Sequence, residues 1–118
     1  MSTVYTITPC PAPRMTKRDK WKRRPCVERY FAFRDAVCEQ ITELPDPLKV
    51  TFHLPMPKSW SRKKREQLDG QPHLQKPDLD NLAKALLDAF YRDRDDAHVW
   101  RFFAIEKRWA EEGCIIFP

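Results

Sequence analysis

A chain of 118 residues with 42% hydrophobic content can build one modest core and is too short for two independent ones. Lysine and arginine outnumber aspartate and glutamate by 22 to 17, for a net charge of +5, so the surface favours an anionic partner, with nucleic acid the leading class. No apolar run approaches the roughly 18 residues of a membrane span, and Cys10, Cys26, Cys38 and Cys114 show neither a C-x-x-C spacing nor a matching histidine pair, which argues against a zinc site or a disulfide framework.

Reduced thiols and an N-terminus without a hydrophobic signal core read as a cytoplasmic protein. One domain is expected over residues 1–118, with no membrane partner and no internal repeat.

Residues 3–8, TVYTIT, are β-branched and aromatic and predict a strand that stops at Pro9, Pro11 and Pro13. A basic connector follows over 14–24. From Val27 the apolar positions Tyr30, Phe31, Val37, Cys38, Ile41 and Leu44 keep a helical period that ends before Pro45 and Pro47. Leu48, Val50, Phe52, Leu54 and Met56 alternate with Lys49, Thr51, His53 and Pro55, the pattern of a strand with one buried face.

Residues 59–69, SWSRKKREQLD, predict a short basic helix, with Ser59 or Ser61 as cap and Gly70 as its stop. An extended linker over 71–79 leads to a second long helix starting near Asp80 or Asn81, with Leu82, Leu86, Ala89 and Phe90 as its core stripe. After an acidic turn, Val99 to Trp109 predicts a long aromatic strand, and Glu112-Gly113 joins it to a closing strand over 114–117. The resulting order is β, α, β, short α, α, β, β. The fold class is α+β, a small mixed sheet packed against helices on one side.

The segment KPDLDNLAK concentrates carboxylates in a basic chain. In an extended segment Asp78 and Asp80 would point the same way, about 7 Å apart at Cα, and Pro77 restricts the loop that carries Asp78. Lys84 follows Asp80 by four residues, on one helix face. The plainer reading is a helix start, with one aspartate capping and Asp80 paired to Lys84. A second acidic cluster, Asp93, Asp95 and Asp96, leads into the aromatic strand. Carboxylates converging from both places predict a hard divalent ion. Mg2+ suits them, because it takes oxygen ligands and needs only one or two carboxylates beside a substrate phosphate, and Mn2+ is its natural substitute. The run DRDDAHVW lacks the glycine and glutamate of an EF-hand loop. A metal held this way can activate water and neutralise a phosphodiester, while a lysine binds the phosphate.

PHLQKPDLDNLAKALLDAF followed by DDAHV resembles the core motif of the RusA family of Holliday-junction resolvases, which are common in bacteriophages and prophages. The motif spans about residues 72–99, and the element order is similar over nearly the whole chain. The resemblance implies a Mg2+-dependent endonuclease in a bacterial cell, working in DNA recombination and repair. It implies a homodimer that resolves four-way DNA junctions by paired symmetric nicks. Carried over by position, the family's metal-binding aspartates fall on Asp78, Asp80 and Asp96, with Asp95 the alternative for the third. Its essential lysine falls on Lys84.

Around this motif, Arg14, Lys17, Arg18, Lys20, Lys22, Arg23 and Arg24 are expected to pair with phosphates, with Trp21 stacking on an unpaired base. Lys58, Arg62, Lys63, Lys64 and Arg65 are expected along the same groove as the metal site, and Lys76 is expected to bind DNA. Asp88 is expected to pair with Lys84. His53, His73 and His98 read as surface or packing residues, His98 being the one nearest the acidic cluster. Trp60, Trp100, Trp109, Phe102 and Phe103 read as core or dimer contacts. Two competing readings share the scaffold: a branched-DNA-binding protein without catalysis, and a metal-dependent nuclease for other branched or RNA substrates.

Overall fold

The alternating stretch at the centre of the chain forms the strand around which everything else is arranged. In the computed structural model, which describes residues 2–14, 16, 24–92 and 99–118, the elements are β1 (Thr3–Tyr5), α1 (Pro25–Gln40), β2 (Leu48–Pro55), α2 (Arg62–Leu68), α3 (Leu79–Phe90), β3 (Phe102–Ala110) and β4 (Cys114–Phe117). The single sheet has the order β1-β4-β2-β3. β2 pairs parallel with β3 and antiparallel with β4, and β1 pairs antiparallel with β4. The parallel pair needs a crossover, and the 56–101 segment carrying α2 and α3 supplies it.

Leu48, Val50, Phe52 and Leu54 of β2 meet Phe33 and Val37 of α1 and Leu82, Ala85, Leu86 and Ala89 of α3 in one core, closed by Ile115 and Phe117. The α3 positions fall at i, i+3, i+4 and i+7, the stripe of an amphipathic helix. Phe52, Leu48, Leu82 and Leu86 are among the largest fully buried side chains, each stabilising the fold by roughly 1.5–3 kcal/mol through loss of apolar surface to water. The other face of β2 is polar: Thr51 Oγ1 donates to Glu106 Oε1 at 3.2 Å, and Arg108 donates to the same carboxylate.

Several boundaries differ from the sequence reading. β1 has three residues and not six, because the Ile7 N–H turns back to the Tyr5 carbonyl at 2.8 Å and Thr8 leaves the sheet to lie against Gly113. α1 starts at Pro25, whose fixed φ suits a first helical position, and ends at Gln40; Ile41 is extended but still buried. The β-branched pair Ile41-Thr42 and the residues preceding Pro45 and Pro47 favour extended backbone there. β3 begins at Phe102, not Val99, and its extra residue falls at Phe103, since Leu48 pairs with Phe102 and Lys49 with Ala104. β3 is an edge strand, and β4 lies on the far side of β2. Trp100, Phe102 and Phe103 are therefore not core: they are 70%, 56% and 70% exposed.

Candidate active site

α3 starts earlier than its sequence indicates, and this changes the geometry of the two aspartates. Asp78 is the N-cap residue, extended at φ −69° and ψ 144°, and its side chain makes no capping hydrogen bond. Its carbonyl accepts from Leu82 N at 3.1 Å, the first helical bond, so Asp80 already lies in the first turn. The strand-like spacing expected for Asp78 and Asp80 does not apply. Both aspartates stand at the helix N-terminus, Asp78 as its cap residue and Asp80 in its first turn, where negative charge is favoured.

Both carboxylates remain exposed, and an ammonium is paired with Asp78. Lys76 Nζ lies 2.9 and 2.8 Å from the two oxygens of Asp78. That hydrogen bond, supported by the charges of Lys76 and Lys107, holds the Asp78 carboxyl below its ordinary value of 3.8. The Lys76 ammonium is raised above its ordinary value by its bond to Asp78 first, with the Asp80 charge contributing. One turn on, Lys84 Nζ is 3.5 Å from Asp88, the expected i,i+4 pair.

Asp80 and Lys84 share a face of α3 with Ala83 and Leu87. Together with Leu79, and with Phe102 and Ile105 of β3, they line an open groove of about 540 Å³. Its floor is apolar and its charged groups are at the α3 side. None of the α2 cations lines it. Lys58, Arg62, Lys63 and Lys64 are exposed, Arg62 pairing with Glu66 at 3.3 Å and Lys64 lying 4.2 Å over the Trp60 ring, while the less exposed Arg65 donates to Pro57 O and Glu111 at 2.6 Å each. Ser61 caps α2 through the Lys64 N–H at 3.2 Å, and Gly70 at φ 77° ends it, a backbone conformation that suits glycine.

Between α2 and α3 the chain runs along the outer edge of β3. Gly70 N donates to Trp109 O, Trp109 N to Gln71 O, and His73 N to Lys107 O, at 2.8 to 3.0 Å. The buried His73 ring packs 4.0 Å from Trp109, which also meets Trp60 at 4.7 Å. Burial first, and then the Lys107 charge, pushes the His73 imidazole below its ordinary value of 6.5. The Lys107 ammonium donates to the carbonyls of Gln75 and Pro77, the latter at 2.7 Å, immediately before Asp78. The sequence reading singled out neither His73 nor Lys107 for this site. A signal for Lys107 exists in the alternation of Ile105, Lys107 and Trp109, which puts a cation in an apolar row.

Asp96, Asp95, His98, Lys17, Arg18, Lys20, Trp21, Lys22 and Arg23 lie outside the described residues. Arg14 and Arg24 are exposed, and Arg24 donates to the Arg14 carbonyl at 2.6 Å. Among the described residues no group of three or more His, Cys, Asp or Glu could hold a metal ion. Asp78 and Asp80 alone are still a fitting donor set for Mg2+, which is usually held by one or two carboxylates. The ammonium already paired with Asp78 shows the charge that this carboxylate calls for.

A helix-covered mixed sheet with two aspartates and a lysine at one helix start defines a candidate phosphodiester-processing site. The family model for endodeoxyribonuclease RusA matches residues 7–116, and the chain belongs to that family. No curated protein and no solved structure matches it.

Proposed function

We propose that this protein is a Mg2+-dependent, structure-selective endonuclease that resolves four-way DNA junctions by paired symmetric nicks during recombination or repair. The observation that carries this reading is the placement of Asp78, Asp80 and Lys84 at the start of α3 in a chain of the RusA endodeoxyribonuclease family. Asp78 and Asp80 hold the cation, with Asp96 as the third carboxylate. Mg2+, or Mn2+ in its place, would supply phosphate charge neutralisation and a more acidic water. Lys84 offsets the charge that develops on the scissile phosphate. The exposed cations Lys58, Arg62, Lys63 and Lys64 engage phosphates away from the cut.

The protein acts as a homodimer in this account, because a two-fold junction needs two equivalent cuts and a closed two-fold dimer supplies two sites. Trp100, Phe102 and Phe103, exposed at the edge strand, are the residues assigned to that contact. No helix among the described residues is long and apolar enough to cross a membrane. Mapping the nicks on labelled four-way junctions, three-way junctions, flaps and linear duplex, with and without Mg2+, tests the reading. Paired nicks at symmetric positions, confined to the four-way substrate, are expected; equal cutting of flaps or duplex contradicts it.

A further inference from the structure

We propose that Lys107 is the positioning residue of this site, its ammonium tying the turn before α3 to β3 and so setting where Asp78 and the first helical turn stand. The catalytic consequence rests on the nuclease reading; the tie does not. Lys107 is opposite Phe52 in the parallel register, in the β3 row with Ile105 and Trp109, against the helix-covered face. A lysine in such a row costs desolvation unless its donors are satisfied. Here they are satisfied by the carbonyls of Gln75 and Pro77, and such charge-assisted bonds are stronger than neutral ones.

The tie falls where the backbone needs support. His73 is the last linker residue bonded to the β3 backbone, through Lys107 O, and Leu82 N bonds to Asp78 O to open the helix. The Lys107 side chain bridges the gap between these two anchors. A methionine would fill the row at lower desolvation cost if packing were its only duty, and it would leave both carbonyls without this donor.

Lys107→Met and Lys107→Arg test the assignment by amide exchange and carbonyl chemical shifts in NMR. In Lys107→Met the His73 and Leu82 amides should exchange on the order of tenfold faster, the scale of losing one or two such bonds. The Gln75 and Pro77 carbonyl resonances should move, while the Phe52 amide keeps its wild-type rate. Lys107→Arg should restore most of this protection. Junction turnover at saturating Mg2+ should fall by a similar factor in Lys107→Met and recover in Lys107→Arg. Unchanged His73 and Leu82 exchange would overturn the proposal, as would uniform acceleration that includes Phe52, because Lys107 would then be a general support of the sheet. A wild type that cuts no junction would defeat the nuclease reading and leave the exchange result to decide the tie.

Discussion

The Lys76 ammonium sits astride the Asp78 carboxylate, 2.8 and 2.9 Å from its two oxygens, in the position that an incoming divalent cation would contest. The ion pair is exposed, and such pairs are worth little, so a dication can displace the lysine at small cost. Lys76→Met should lower the Mg2+ concentration for half-maximal cleavage, by up to about fivefold on the scale of exposed pairs, and should weaken junction binding. The acid limb of the pH–rate profile should move to higher pH, because the Asp78 carboxyl is held down chiefly by this bond. A metal titration of cleavage and a pH series check both effects.

Gly113→Ala should destabilise the fold by about 1–3 kcal/mol, the usual cost of overpacking. A Cβ there would meet Thr8 Cα at 2.8 Å and Thr8 Oγ1 at 2.6 Å, and the backbone of Thr8 cannot yield as a flexible side chain would. Urea unfolding measures the destabilisation.

The cations at and just before α2 divide into two classes. Replacing Lys58, Lys63 and Lys64 by glutamine should weaken junction binding and flatten its salt dependence by about one unit of slope for each phosphate left without its cation. Arg65→Ala should act on stability, by about 1 kcal/mol or more, because its guanidinium is bonded to Pro57 O and Glu111. Binding isotherms over a salt series, beside thermal melts, separate the two.

His73 makes stability fall on mild acidification. Its folded-state value lies below the ordinary 6.5 because the ring is buried, so the unfolded chain binds the proton first. Stability is then fully present above about 6.5 and is lost as pH falls from there toward the lowered value. The melting temperature should drop as the pH falls below about 6.5, and His73→Phe, which retains a ring against Trp109, should show a smaller drop.

Much of this architecture is legible in local pattern. The alternation of 48–56, the Ser61 cap, Gly70 and the stripe from Leu82 to Ala89 each depend on neighbours within a turn or two, and the order of all seven elements follows from them. The outward position of Trp100, Phe102 and Phe103 does not, because it depends on β4 inserting between β1 and β2 and leaving β3 at the edge. The KPDLDN motif locates the site, but its geometry turns on whether Asp78 or Asp80 caps the helix, and propensity favours either. The role of Lys107 depends on its bonds to Gln75 and Pro77, some thirty residues away, and a lysine in a strand otherwise reads as a surface residue.

The central claim is that the carboxylates at the start of α3 serve cleavage and not the fold. The most direct measurement compares wild type and Asp80→Asn on a labelled four-way junction at saturating Mg2+, with binding followed on the same substrate. Asp80 is exposed and can be neutralised without opening a cavity. The account predicts paired nicks by the wild type, a reduction in cleavage on the order of a hundredfold or more in the variant, and junction binding retained by both. Equal cleavage by the two proteins, or tight binding with no nicks from either, would contradict it.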